Sequence, residues 1–253
     1  MKRSFIWRFL YKNLPNIVSL LGVLPLSILF FKDGFQYLIP LIIYNNIMDD
    51  LDGIFAIKLN LKSDFGAALD NVCDAVAHII IVMAIGIHYG IAFSIVSLFA
   101  VTAILLRVTS RLSANEKISA GSPTNELMRH LLLSLLTAKY YKFAPEPLLI
   151  TVILLNSISM LSPFPMPYLI RTLTKSATAI GFINVSLLVA WLIPITAPAI
   201  AFCFFATHLY SLIRSNGQWL LQQLNLASKK LSRLKELLLP ASPAKGSRWL
   251  RRV

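Results

Sequence analysis

The chain has 253 residues, of which 57% are hydrophobic and 14% charged, with a mean hydropathy of +0.70. Soluble domains are usually about 25% charged, so this composition excludes an ordinary soluble domain and indicates a membrane protein. The net charge of +13 could suggest a nucleic-acid partner. Lysine and arginine also collect in the cytoplasmic loops of membrane proteins, and we therefore expect no nucleic acid.

Apolar runs predict an all-α, polytopic membrane bundle of about eight spans, with six as the alternative. Residues 1–15 mix basic and aromatic side chains, which predicts an interfacial amphipathic segment. Residues 16–214 form the predicted membrane domain, with spans at 16–31, 35–57, 66–88, 91–112, 126–141, 147–163, 177–193 and 197–214. Leucines recur at helical spacing among lysines and arginines in residues 215–253, which predicts a basic amphipathic tail on an anionic leaflet.

The distribution of basic residues predicts the orientation. With eight spans, the outer loops would hold only Lys32, Lys139 and Lys142 of the 24 lysines and arginines. Cytoplasmic loops carry the excess of positive charge in membrane proteins. The pattern therefore predicts that both termini lie in the cytoplasm, and six spans would give the same orientation.

Acidic residues are concentrated between two strongly apolar runs. Residues 48–78 hold six of the 11 acidic side chains, namely Asp49, Asp50, Asp52, Asp64, Asp70 and Asp74. Asp49 and Asp52 are three apart and share one helix face, while Asp70 and Asp74 are four apart and share a face of the next helix. The short linker between these helices predicts that they are antiparallel neighbours, so that four carboxylates converge near the cytoplasmic end of the bundle.

Converging carboxylates repel one another unless cations neutralise them. Oxygen ligands suit Mg²⁺ or Mn²⁺, and two such ions bridged by aspartates are a common arrangement for chemistry at a phosphate. A proton or cation pathway in a transporter is the alternative that involves no enzyme, although it would spread acids over several spans. Asp50 and Asp64 could equally well be exposed aspartates in loops with no function. This interpretation does not suit Asp70 and Asp74, which precede an apolar run within a helix.

The spacing of these residues resembles the motif of the CDP-alcohol phosphotransferase family, D-x-x-D-G-x-x-A-R-x8-G-x3-D-x3-D. The match runs over 26 residues and includes four aspartates, two glycines and one alanine: Asp49, Asp52, Gly53, Ala56, Gly66, Asp70 and Asp74. The family's arginine is replaced by Ile57. Lys58 or Lys62 could supply its charge, although Lys58 is rotated by about 100° from that position on an ideal helix.

The resemblance implies a phospholipid-synthesis enzyme that moves the phosphatidyl group of CDP-diacylglycerol to a small alcohol and releases CMP. It implies two Mg²⁺ or Mn²⁺ ions on Asp49, Asp52, Asp70 and Asp74, with Asp74 also acting as the catalytic base. It further implies nucleotide-binding residues, namely Asn16, Ser19, Gly53, Ala56, Ser63 and Gly66. The expected location is a bacterial inner membrane with the active site facing the cytoplasm, and a homodimer is one expected state.

Weaker features bear on the acceptor alcohol. The stretch from Arg107 to Arg111, the Gly121–Pro123 loop and residues 159–171 resemble phosphatidylserine synthases of the integral-membrane type, and Ala75 stands where phosphatidylglycerophosphate synthases usually carry lysine. L-Serine is therefore the expected acceptor, with glycerol phosphate, inositol phosphate or another small alcohol as alternatives. Candidates for binding an acceptor carboxylate or phosphate are Arg107, Arg111 and Arg129, although snorkelling from helix ends would explain each of them equally well.

Overall fold

The computed structural model describes residues 2–112, 121–163 and 177–238, and this part of the chain is helical with no strand. Its α-helices are α1 Lys2–Lys12, α2 Leu14–Val23, α3 Leu38–Lys58, α4 Asp64–Tyr89, α5 Ile91–Leu112, α6 Thr124–Tyr141, α7 Glu146–Leu161, α8 Ala177–Leu192 and α9 Ala197–Leu238. Short 3-10 helices span Leu24–Phe30, Gly34–Tyr37 and Pro194–Thr196. The all-α class is confirmed for these residues.

Local sequence explains where several helices begin and end. The hydroxyl of Ser63 accepts a hydrogen bond of 3.0 Å from the main-chain N–H of Gly66, which caps the first turn of α4. Gly90 has a φ of +97°, which favours glycine, and it ends α4 directly before α5 begins. Pro15 lies in the first turn of α2, where the missing N–H removes no helical hydrogen bond.

Among the described residues, three helical segments are long and apolar enough to cross a membrane by length and composition, namely Asp64–Tyr89, Ile91–Leu112 and Pro194–Leu231. A fourth would be the pair Ile6–Lys12 and Leu14–Phe30, which is bent by 69° between its halves. Helices α7 and α8 are apolar but shorter. With these apolar helices, the chain is an integral membrane protein, while the predicted eight crossings and the cytoplasmic termini stay predictions.

Helix α6 is less apolar than the predicted spans around it, and its position in the interior of the bundle accounts for this. Nearly every side chain from Thr124 to Ala138 is buried, including Glu126, Arg129 and His130. A helix that is surrounded by protein can carry polar groups that satisfy one another, whereas a lipid-facing helix cannot. The helix predicted at 126–141 therefore exists, and it contacts α7, α9 and, less extensively, α3 and α4.

The last predicted span and the predicted tail are described only in part. The span and residues 215–238 of the tail lie in one helix of 42 residues, Ala197–Leu238. From Asn216 to Leu231 this helix exposes nearly all of its side chains, leucines included. The C-terminal residues 239–253 and most of the 159–171 stretch lie outside the described residues.

Candidate active site

The four motif aspartates come from two helices and converge. Helix α3 carries Asp49 and Asp52, and α4 carries Asp70 and Asp74. One carboxylate oxygen from each of Asp49, Asp70 and Asp74 lies within 4.8 Å of the other two. Helix α2 packs closely on both α3 and α4, which contact each other less extensively. The convergence that the spacing predicted is therefore present, with α2 as a shared support.

The fourth aspartate is tied to α2. Asp52 is buried, and its Oδ2 accepts a short hydrogen bond from the hydroxyl of Ser19. Ser19 and all four motif aspartates line a recess of about 10 Å³. That volume is comparable to the space needed by a single water molecule. The recess is thus large enough for a small ion that contacts several carboxylates at once.

The donor set of the recess fits a hard divalent cation. Carboxylate oxygens are the ligands that Mg²⁺ and Mn²⁺ prefer. Several carboxylates at this separation repel one another unless protons or cations compensate their charge. Asp52 and Asp70 line both the recess and the adjoining cleft, so they are the two residues that a pair of ions could share.

A cleft of about 460 Å³ opens beside the recess between α2, α3 and the start of α4. All six residues predicted to bind the nucleotide line it, namely Asn16, Ser19, Gly53, Ala56, Ser63 and Gly66. A Cβ atom at Gly53 would meet nothing within 4 Å, so its absence leaves main chain accessible to a ligand. At Gly66 a Cβ would lie 3.1 Å from Oδ1 of Asn16, so glycine allows α2 and α4 to approach here.

The position of the missing motif arginine lies on the cleft wall. Ile57 lines the cleft and is 63% exposed. Lys62 also lines the cleft, whereas Lys58 is exposed and is not among the residues described as lining it. Of the two lysines considered as substitutes for the arginine, Lys62 is therefore the one that lines the cleft.

The three predicted acceptor arginines occupy different environments. Arg111 is exposed, donates a hydrogen bond of 3.4 Å from Nη1 to Oδ1 of Asn71, and lies close enough to Asp70 for electrostatic attraction. Arg129 is buried and donates to Oδ1 of Asn46 and to Oε1 of Glu126, at 3.1 and 3.3 Å. Arg107 is also buried. Arg111 is thus beside the aspartates, and Arg129 belongs to an interior network.

Asparagines that sequence reasoning did not identify hold two of the acidic side chains. Nδ2 of Asn125 donates a hydrogen bond of 2.6 Å to Oδ2 of Asp49. Nδ2 of Asn184 donates one of 2.6 Å to Oδ2 of Asp50, and Oδ1 of Asn184 accepts one of 2.7 Å from Asn46. The paired asparagines at 45 and 46, directly after the apolar first part of α3, were the available signal. Nothing local marks Asn125 or Asn184.

We expect Asn125→Ala to weaken metal binding by about 10- to 100-fold, the usual effect of losing a group that orients a metal ligand. The alanine variant removes the bond that sets the rotation of the Asp49 carboxylate but leaves its charge. Electron paramagnetic resonance of free Mn²⁺ in a titration measures the affinity. Asn225→Ala, at an exposed position of α9, is the matched control. An unchanged Kd for Mn²⁺ would show that Asp49 is oriented without Asn125.

Comparisons with known proteins agree with this geometry. An uncharacterized protein of Aquifex aeolicus (strain VF5) is 30% identical over 83 residues, which cover 32% of this chain and 42% of that protein. The chain thus matches less than half the length of this relative. The family model for CDP-alcohol phosphatidyltransferase matches residues 12–206, which include the whole aspartate motif and the cleft. The chain belongs to the CDP-alcohol phosphatidyltransferase family.

Proposed function

We propose that the protein transfers the phosphatidyl group of CDP-diacylglycerol to a small alcohol, L-serine, with release of CMP. The observation that carries this proposal is that the cleft opens directly onto the aspartate recess. Ser19, Asp52 and Asp70 line both. A nucleotide in the cleft would therefore have its diphosphate beside the carboxylates, where bound ions could neutralise it. The matching family model supports the transfer of a phosphatidyl group from a CDP-alcohol.

The residues have distinct tasks in this proposal. Asn16, Ser63 and the open main chain at Gly53 hold the cytidine and the sugar, and Gly66 allows α2 and α4 to approach beside them. Asp49, Asp52, Asp70 and Asp74 would hold two Mg²⁺ or Mn²⁺ ions. When bound, such ions neutralise the diphosphate and stabilise charge on the attacking and leaving oxygens.

The chemical step is an attack on the β-phosphorus of the CDP-lipid. Asp74 accepts the proton of the acceptor hydroxyl, which requires hydrogen-bond reach between the two groups. The hydroxyl oxygen forms a bond to the β-phosphorus, and the bond from that phosphorus to the bridging oxygen breaks. CMP leaves with the electron pair. Holding both reactants in line contributes by proximity and orientation.

The basic residues near the site are compatible with serine as the acceptor. Arg111 lies beside Asp70 and Asn71, where its guanidinium could pair with a carboxylate. Glycerol phosphate and inositol phosphate are the alternatives, because a guanidinium binds a phosphate equally well. A cation or proton transporter was the non-enzymatic alternative, and family membership favours the transferase.

The decisive experiment offers several acceptors to one preparation. Purified full-length protein is incubated with CDP-diacylglycerol, Mn²⁺ and one labelled alcohol at a time, and CMP release is measured. We expect serine to give the fastest release. If CMP is released with glycerol phosphate or inositol phosphate but not with serine, the proposal of serine as the acceptor is wrong. If CMP is released with none of the alcohols, the proposal of phosphatidyl transfer is wrong. The cytoplasmic orientation and the homodimer need separate tests by accessibility labelling and by mass in detergent.

Ile57→Arg is expected to tighten binding of the CDP-lipid by about tenfold or more, because hydrogen bonds to charged groups contribute about 1.5–3 kcal/mol. Ile57 is 63% exposed on the cleft wall, so a longer side chain has room. Calorimetry with a soluble CDP-alcohol in the presence of Mn²⁺ measures the change. Ile57→Gln controls for size without charge. Lower affinity in the arginine variant would mean that the diphosphate does not approach position 57.

A further inference from the structure

A second cluster of metal-ligating side chains lies where α6 packs on α9, outside the aspartate recess. Glu126 and His130 are one turn apart on α6, and His208 is on α9. One carboxylate oxygen and one nitrogen of each imidazole lie within 4.8 Å of one another. All three residues are buried, with exposed fractions of 3%, 0% and 2%. Side chains of this kind are rarely buried together without a partner that neutralises them.

The imidazole of His130 is oriented as metal-binding histidines are. Nδ1 of His130 lies 3.0 Å from Oδ1 of Asn156, while Nδ2 of Asn156 donates to the carbonyl of Val152 at 2.8 Å. An amide oxygen only accepts, so Nδ1 carries the proton and Nε2 carries a lone pair. Nε2 has no hydrogen-bond partner among the described residues, although the Phe204 carbonyl lies near the ring. Such an outer hydrogen bond is the usual companion of a metal ligand.

The charges around the cluster favour an added cation. Oε1 of Glu126 pairs with Nη1 of Arg129 at 3.3 Å, and Nε of Arg129 donates to Asn46. Asn46 in turn contacts Oδ2 of Asp50 at 3.4 Å. Two carboxyl groups, those of Glu126 and Asp50, thus lie close to the one guanidinium of Arg129. A carboxylate accepts several partners, so the Arg129 contact leaves room for another on Glu126.

We propose that Glu126, His130 and His208 bind one transition-metal dication, best matched by Zn²⁺, that joins α6 to α9. Two histidines and one glutamate are an established zinc donor set. Imidazole nitrogen suits zinc, copper, nickel or iron, whereas Mg²⁺ prefers oxygen. The site is thus chemically distinct from the all-oxygen aspartate site. Its existence does not depend on the proposed transferase activity.

Metal content tests the site directly. Purified full-length protein in detergent is incubated with Zn²⁺ in Mg²⁺-containing buffer, passed through a gel-filtration column and analysed by mass spectrometry of its metals. We expect about one zinc ion per chain, in line with a single three-ligand site. His130→Gln and His208→Gln should lose this zinc. His88→Gln should keep it, because His88 lies at the far end of α4 and stacks on Phe35 at 3.5 Å.

Two further measurements separate the site from its alternatives. Asp70→Asn should keep the zinc while losing Mn²⁺, and loss of both ions would place the zinc in the aspartate recess and overturn the proposal. Wild-type protein loaded with Co²⁺ should show the visible absorption of a four-coordinate ion with nitrogen and oxygen ligands. This measurement uses no variant, so it does not depend on whether the variants fold. A wild-type protein without stoichiometric zinc or this absorption would also overturn it, and the histidines would then be a buried pair facing the Phe204 carbonyl.

Discussion

Asp70→Asn is expected to abolish CMP release and to leave the fold intact. The Asp70 carboxylate lies within 4.8 Å of those of Asp49 and Asp74 and lines both the recess and the cleft. Asparagine has nearly the same shape but no charge, so packing is kept while the metal site loses a ligand. A bound divalent ion supplies several kcal/mol of transition-state stabilisation, and each 1.36 kcal/mol is a factor of ten in rate. The loss should therefore be roughly 10³-fold or more.

The measurement is CMP release at increasing Mn²⁺, with circular dichroism and gel filtration to verify folding. Asp33→Asn is the matched control, because Asp33 is exposed and is placed before the Gly34–Tyr37 helix, outside the aspartate cluster. Wild-type protein in excess EDTA should behave like the Asp70 variant. Full activity in EDTA would contradict the metal requirement and would revive a role of the aspartates in ion transport.

Asp74→Asn is expected to lower turnover by roughly 10²–10⁴-fold, the usual contribution of a general base, while metal-dependent binding of the CDP-lipid persists. Asp74 lies one turn beyond Asp70 on α4 and lines the recess, but it is not among the described residues that line the cleft. Asp74 is thus set back from the cleft, which Asp52 and Asp70 line. A base should affect the chemical step more than the ground-state complex.

Calorimetry with a CDP-alcohol and CMP release should be measured on the same Asp74→Asn preparation. Asp52→Asn is the comparison variant, since Asp52 lines the cleft and should lose binding and turnover together. If binding to the Asp74 variant falls in proportion to turnover, Asp74 acts chiefly as a metal ligand. The base would then have to be another group. The two variants therefore separate ligand from base within one helix pair.

Much of the candidate site could be predicted because its determinants are local. Asp70 and Asp74 are four apart on one helix, and Asp49 and Asp52 three apart on another, so helical geometry alone aligns each pair. Scarce carboxylates between apolar runs must face the interior of a bundle. The six predicted nucleotide residues line one cleft for a related reason. Asn16 and Ser19 are three residues apart on α2, while Gly53 and Ala56 lie near the end of α3 and Ser63 and Gly66 lie at the start of α4.

The residues that escaped prediction are joined over long separations. Asn125 and Asp49 are 76 positions apart, and Asn184 and Asp50 are 134 positions apart. The spacing of residues within one helix cannot predict such a hydrogen bond, because the bond depends on how α6 and α8 pack against α3. The proximity of His130 and His208 could not be read from the sequence for the same reason. Each is isolated in the sequence, and their proximity exists only because α9 lies along α6.

The sequence by itself determined the helical class, the membrane character, the family and the four aspartates, because these depend on composition and short-range spacing. Only the tertiary structure decided which asparagines hold the acidic side chains, which lysine lines the cleft and which polar groups are buried together. It also showed that α6 is an interior helix and that α9 continues without a break into the tail. Hydropathy measures how apolar a segment is, and it cannot tell whether protein or lipid surrounds that segment. The packing between helices determines which of the two surrounds it.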